Sequence, residues 1–150
     1  MSRNSRSLAR FLRPEGPAAI AFIRVTVGLI FVSEGLQKFI FPGALGVGRF
    51  AKIGIPAPQI LAPFVGSVEI FGGAALVVGL LSRAVAIPLV ISMLVAITST
   101  KLVTFNKNGF WSTAHEARTD LLMIAGLLLI LFVGPGRASL DARISEGRTD

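Results

Sequence analysis

Between Arg83 and Lys101 the chain runs through 17 residues without a charged side chain. From Ile53 to Ser82 Glu69 is the only charge, and residues 121–136 carry none. A helix rising 1.5 Å per residue needs about 20 mostly apolar residues to cross ~30 Å of hydrocarbon, and each stretch reaches that length with its flanks. A further stretch, residues 17–40, is apolar but holds Arg24, Glu34 and Lys38. Strands are excluded, because an open sheet edge in lipid leaves N–H and C=O groups unpaired and four segments do not close a barrel. The fold class is therefore read as all-α: an integral membrane four-helix bundle forming one domain over residues 1–150. Its spans fall at about 17–40, 59–81, 84–105 and 118–134, with polar tails at 1–16 and 137–150.

Local signals fit those limits. Pro42-Gly43 stops the first span, and Gly134-Pro135-Gly136 stops the last. Pro56, Pro58 and Pro63 mark the entry and first turns of the second span, where a missing N–H costs little, and Pro88 falls in the opening turns of the third. The stretch from Gly43 to Gly54 reads either as a short interfacial helix or as a plain loop.

Composition narrows the function classes. Only 15% of residues are charged and 53% are hydrophobic, against about 25% charged in a soluble domain. The absence of Cys removes disulfides, thiol nucleophiles and cysteine-held metal. With His115 as the single His, no all-protein transition-metal site is expected. The net charge of +7 invites a nucleic-acid reading, but four of the 15 basic residues lie in the first 13 positions beside apolar runs. They read as orientation charges against anionic lipid, so the expected partner is the bilayer and not nucleic acid. Four spans place both termini on one side, with eight arginines there against six basic residues opposite. The positive-inside rule then puts both termini in the cytoplasm of a multi-pass protein of the bacterial inner membrane. No small-x-small cleavage site follows the first apolar run, which reads as a retained anchor.

Charges inside the spans carry the functional expectation. Each costs about 2.5–3.5 kcal/mol on insertion scales, so each needs a partner or a wet cavity. At 100° per residue, Arg24, Lys38 and Glu34 fall at about 0°, −40° and −80° on one helix face. Counting rise along each helix brings Glu34, Lys38, Glu69, Lys101, Glu116, Arg118 and Asp120 into the non-cytoplasmic half, and leaves Arg24 nearer the cytoplasm. Gly28 and Gly35 on the first span, and Gly66, Gly72 and Gly73 around Glu69, let two helices approach closely, which sets Glu34 and Glu69 near each other. Two carboxylates so placed do not both ionise freely unless Lys38, Lys101 or Arg118 intervenes.

Two readings of this cluster stay open: an ion-pair lock that fixes helix register, or a site for a small molecule, a quinone or protons. The candidate ligand-binding set is Arg24, Glu34, Lys38, Glu69, Lys101, His115, Glu116, Arg118 and Asp120, with Glu34 and Glu69 as candidate catalytic groups and no metal site. Arg24 alone reads as structural. His115, in the connection 106–119 beside Trp111, reads as an interfacial polar residue, or as a proton carrier at the mouth of the cluster. Phe39, Phe41, Phe64, Phe71, Phe105 and Phe110 read as core or lipid-facing rather than as a pocket lining.

An ordered set of short motifs resembles the DoxX family. It comprises Arg24…Gly28-Leu-Ile-Phe31…Glu34-Gly35-Leu-Gln-Lys38-Phe39, Gly54-Ile-Pro56, Gly66-x-x-Glu69-x-x-Gly72-Gly73, Gly79-Leu-Leu-Ser-Arg83 and Gly134-Pro-Gly-Arg-x-Ser139-Leu-Asp141. The resemblance covers most of residues 20–143 and departs at Glu34, where many relatives carry His. It implies a small bacterial inner-membrane protein of four helices. Relatives of this kind accompany a terminal quinol oxidase, thiosulfate:quinone oxidoreduction, or membrane oxidoreductase complexes of thiol and oxidative stress. The expectation is an accessory subunit of a quinone-linked oxidoreductase system. It would bind no covalent cofactor, take a quinone as ligand, meet oxidoreductase subunits or a second copy of itself, and have no catalytic activity alone. The alternative is a non-enzymatic membrane protein, either a small-solute transporter or an assembly scaffold.

Overall fold

The computed structural model describes residues 17–146. All regular structure among them is helical: α1 (Ile20–Ile40), α2 (Val47–Lys52), α3 (Pro58–Val78), α4 (Ser82–Val133) and α5 (Leu140–Glu146). Three stretches are long and apolar enough to cross a membrane: Ile20–Ile40, Pro58–Val78 and Ser82–Lys101. Pro58 occupies the first turn of α3, as its missing N–H allows. Gly79 ends that helix in the left-handed region (φ 75°), with its N–H donating to the Ala75 and Leu76 carbonyls.

The connection expected at 106–119 is not a loop. Helical backbone continues through it, and the break is confined to Gly109 (φ 79°, ψ −178°). Only glycine adopts such a conformation without strain. Beyond Gly109 the second half of α4 returns along the first. Lys101 faces Glu116 and Asp120 across the turn, and at the far end an Arg83 N–H donates to the Phe132 carbonyl.

The tightest packing lies between α1 and α3, as their glycines require. A Cβ built on Gly28 would stand 2.7 Å from the Gly73 carbonyl oxygen, and one on Gly35 would stand 2.6 Å from that of Gly66. Main chains therefore touch directly, giving van der Waals attraction that larger residues would forbid. The core between the long helices is apolar. Phe31, Leu76, Leu89, Leu127 and Ile130 are fully buried, drawn from α1, α3 and both halves of α4. Outside, Phe22, Ile60, Phe71, Leu122 and Phe132 are widely exposed, a surface suited to acyl chains and not to water.

The stretch expected as a polar tail from 137 packs instead. Ser139, Asp141 and Ala142 are buried. Ser139 caps α5, its Oγ accepting the Ala142 N–H at 3.2 Å. Asp141 reaches back to the start of α4, where its two carboxylate oxygens accept the N–H groups of Leu81 (2.7 Å) and Ser82 (3.0 Å). This carboxylate fills two of the donors that a helix start leaves open and sits at the positive end of the helix dipole. It also holds Leu81 in the left-handed region (φ 49°), a conformation costly for a γ-branched residue.

Candidate functional site

A cavity of about 510 Å³ opens between α1, α2, α3 and both halves of α4. Its walls are mostly apolar, from Ile30, Phe31, Val65, Val68, Met93 and Met123 among others. Charged residues also line it: Glu34, Lys38, Arg49, Glu69, Lys101 and Asp120. Volume and chemistry match a small-molecule site, which typically measures about 300–1,000 Å³ with a few polar groups in an apolar cup.

The firmest contact in the cavity joins α1 to α3. Lys38 Nζ lies 2.5 Å from Glu69 Oε2, with side chains 13% and 8% exposed. The other carboxylate oxygen of Glu69 accepts a hydrogen bond from Ser92 Oγ at 3.3 Å, tying in α4. Lys38 Nζ also donates to the Glu34 main-chain oxygen at 3.4 Å, one turn back on α1. The close α1–α3 approach sets this pair. Gly66, three residues before Glu69, is the residue that Gly35 packs against, so the helix axes are near enough for a lysine and a glutamate to meet. Lys38 thus pairs with the Glu69 carboxylate, while of Glu34 it reaches only the main-chain oxygen.

A looser arrangement stands across the fold-back. Lys101 Nζ lies 3.6 Å from Glu116 Oε2 and 3.7 Å from Asp120 Oδ2. Glu116 is exposed and does not line the cavity, whereas Lys101 and Asp120 do. One cation shared by two acids is a weak, salt-sensitive arrangement compared with the enclosed Lys38–Glu69 pair.

Of the nine residues proposed from sequence, Glu34, Lys38, Glu69, Lys101 and Asp120 share this cavity. Arg24 does not. It is 2% exposed at the opposite end of α1, where its guanidinium donates to the Leu76 carbonyl (2.9 Å) and the Ala138 carbonyl (2.6 Å). It fills the space that a Gly79 side chain would take. His115 and Arg118 are exposed, and an Arg118 guanidinium nitrogen lies within hydrogen-bond distance of the His115 ring nitrogens. Phe64, expected in core or lipid, lines the cavity. Among the described residues no group of three or more His, Asp or Glu side chains is placed to hold a metal ion.

Sequence reasoning missed Arg49, Ser92 and Phe50. Ser92 falls in a charge-free span, with nothing local to mark it as the partner of Glu69. Phe50 is 8% exposed on α2, the stretch that read equally as helix or loop.

The comparisons with known proteins bear on the whole arrangement. The DoxX family model matches residues 19–106, which includes α1, α2, α3 and the first span of α4. The chain belongs to the DoxX family. It is 49% identical over 149 residues to the uncharacterized membrane protein Rv3486 of Mycobacterium tuberculosis, covering 95% of this chain and 91% of that protein. An uncharacterized protein of Haemophilus influenzae is 31% identical over 126 residues, 83% of this chain and 90% of its own. A Bacillus subtilis protein named "Putative oxidoreductase CatD" is 28% identical over 127 residues, 84% of this chain and 87% of its own. No solved structure matches the chain. This DoxX protein is a membrane protein, and its exposed apolar faces meet lipid.

Proposed function

We propose that this DoxX protein is an accessory subunit of a quinone-linked oxidoreductase system in the bacterial inner membrane. In this reading it crosses the bilayer four times, the second half of α4 making the fourth passage, with both termini in the cytoplasm. The observation that carries the proposal is the 510 Å³ apolar cavity with the Lys38–Glu69–Ser92 contact in its wall. A quinone has the same division: a ring with two oxygens at one end, and a hydrocarbon tail that prefers apolar walls. The name of the Bacillus subtilis relative points in the same direction.

The residues divide the work by their chemistry. Lys38 and Lys101 donate hydrogen bonds to a ring oxygen. Glu69 and Glu34, as carboxylates, accept the protons that leave a quinol's hydroxyls while its electrons pass to a redox centre on a partner subunit. Glu69 suits this role because one oxygen is held by Lys38 and the other by a hydroxyl, so the carboxylate is fixed before any ligand arrives. Arg24 takes no part and serves the fold.

The test is extraction of the protein from native membranes in mild detergent with its partners, followed by quinol oxidation assays on the assembly. Glu69→Gln should depress quinone-dependent turnover while leaving assembly intact. Normal turnover in that variant removes Glu69 from the chemistry. If the isolated assembly contains no redox partner and binds no quinone, the transporter or scaffold reading takes its place.

A further inference from the structure

Six charged residues line the cavity, three acids and three bases. Lys38 pairs with Glu69, and Lys101 lies between Asp120 and Glu116. Among the described residues this leaves one cavity-lining acid, Glu34, and one cavity-lining base, Arg49, whose side chains make no ion pair or hydrogen bond. They do not pair with each other, although their charges are opposite. Two opposite charges without a protein partner on the wall of one apolar space can both be reached by a single two-ended molecule.

Their positions are fixed in advance. Glu34 sits one turn before Lys38 on α1. Arg49 sits on α2, which packs against α3, and the turn leading into it is tight: a Cβ on Gly46 would collide with the Lys38 carbonyl at the end of α1, and one on Gly48 with the Gly43 carbonyl in the turn itself. The Gly48 N–H donates to the Pro42 carbonyl at 2.9 Å, and Phe50 buries its ring beside Arg49. A short helix held this way fixes the main chain from which Arg49 joins the cavity wall.

We infer that Glu34 and Arg49 bridge the head group of one bound amphiphile, Glu34 accepting a hydrogen bond from its donor end and Arg49 donating to an acceptor oxygen at the other. The apolar walls take its hydrocarbon tail. Resting on the quinone-linked reading, this makes the hydroxyl-bearing quinol the form held by Glu34. A zwitterionic phospholipid head, with an ammonium for Glu34 and a phosphate for Arg49, carries the same two-ended chemistry.

The experiment uses the full chain in nanodiscs of phosphatidylglycerol, supplied anaerobically with a long-tailed naphthoquinol in one arm and with phosphatidylethanolamine in the other. Native mass spectrometry counts the molecules that stay bound. Glu34→Gln and Arg49→Gln are each expected to weaken retention about tenfold, and Arg49→Lys to keep most of it. Both positions are exposed, so thermal unfolding should be unchanged and serves as the control for folding. Quinol retained by the parent and equally by both variants overturns the bridge while leaving the quinone reading standing. Phosphatidylethanolamine retained in place of quinol, and lost in both variants, upholds the bridge and removes the quinone reading. Retention of neither amphiphile by the parent overturns the bridge as well.

Discussion

The two ends of this protein spend their buried polar groups differently. At one end Arg24 and Asp141 satisfy main-chain groups: carbonyls of Leu76 and Ala138 for the guanidinium, N–H groups of Leu81 and Ser82 for the carboxylate. Four separate pieces of chain are closed against one another there. At the other end Lys38, Glu69 and Ser92 satisfy mainly one another, on three helices around an open space. Arg24 and Asp141 do not line the cavity, and their bonds to the backbone serve stability. Polar groups bonded to other side chains beside a cavity can exchange a partner for a ligand at modest cost. Burial alone does not separate the two ends, since Arg24 and Glu69 are 2% and 6% exposed. What separates them is the bonding partner and the adjoining space.

That contrast predicts where mutations act. The largest loss should follow Arg24→Leu, which leaves the Leu76 and Ala138 carbonyls without their donor and takes a nearby positive charge from Asp141. A drop of about 3–5 kcal/mol in unfolding free energy in detergent is expected, with no selective effect on ligand retention. Asp141→Ala should cost about 2 kcal/mol through the lost cap of α4, read by the same unfolding curves. Should either variant lose ligand retention while keeping its stability, the division between the two ends fails. Gly35→Ala should come next. Its methyl would press on the Gly66 carbonyl and force α1 from α3, at about 1–3 kcal/mol. Because this contact also sets the Lys38–Glu69 pair, stability and retention should fall together.

Smaller effects sharpen the same comparison at the cavity end. Glu69→Gln keeps an acceptor for Lys38 but not the charge, and quinone-dependent turnover of the parent assembly should drop about a hundredfold, with a smaller loss of stability than Arg24→Leu as Lys38 loses its counter-charge. Asp120→Asn should alter unfolding by less than about 1 kcal/mol, because Glu116 still faces Lys101. His115→Ala, at an exposed position beside Arg118, should move neither stability nor retention. A clear loss of turnover there would return His115 to the site.

Much of the candidate site was legible in the sequence because charge in a span is costly and so stands out. Glu34, Lys38, Glu69, Lys101 and Asp120 were visible on that ground, and the cavity gathers all five. Arg118 met the same criterion but is exposed, as is His115, which drew notice as the single His in the connection 106–119. Position along a helix follows from counting residues, whereas its rotation follows from whichever neighbour packs against it. Arg49 escaped notice because the glycine-rich stretch around it has no clear period, and Ser92 because a hydroxyl in an apolar run leaves no signature.

The sequence by itself determined the membrane class, the apolar helices, their proline and glycine limits and the close approach of α1 to α3. All of these rest on local cost: uncharged length against hydrocarbon, a missing N–H, a missing Cβ. Tertiary structure alone decided that Gly109 suffices to turn α4 back, that Asp141 caps a helix start 59 residues earlier, and that Arg24 and Glu69 end in unlike surroundings. Those outcomes depend on which distant groups arrive within hydrogen-bond reach, and no local preference encodes that distance.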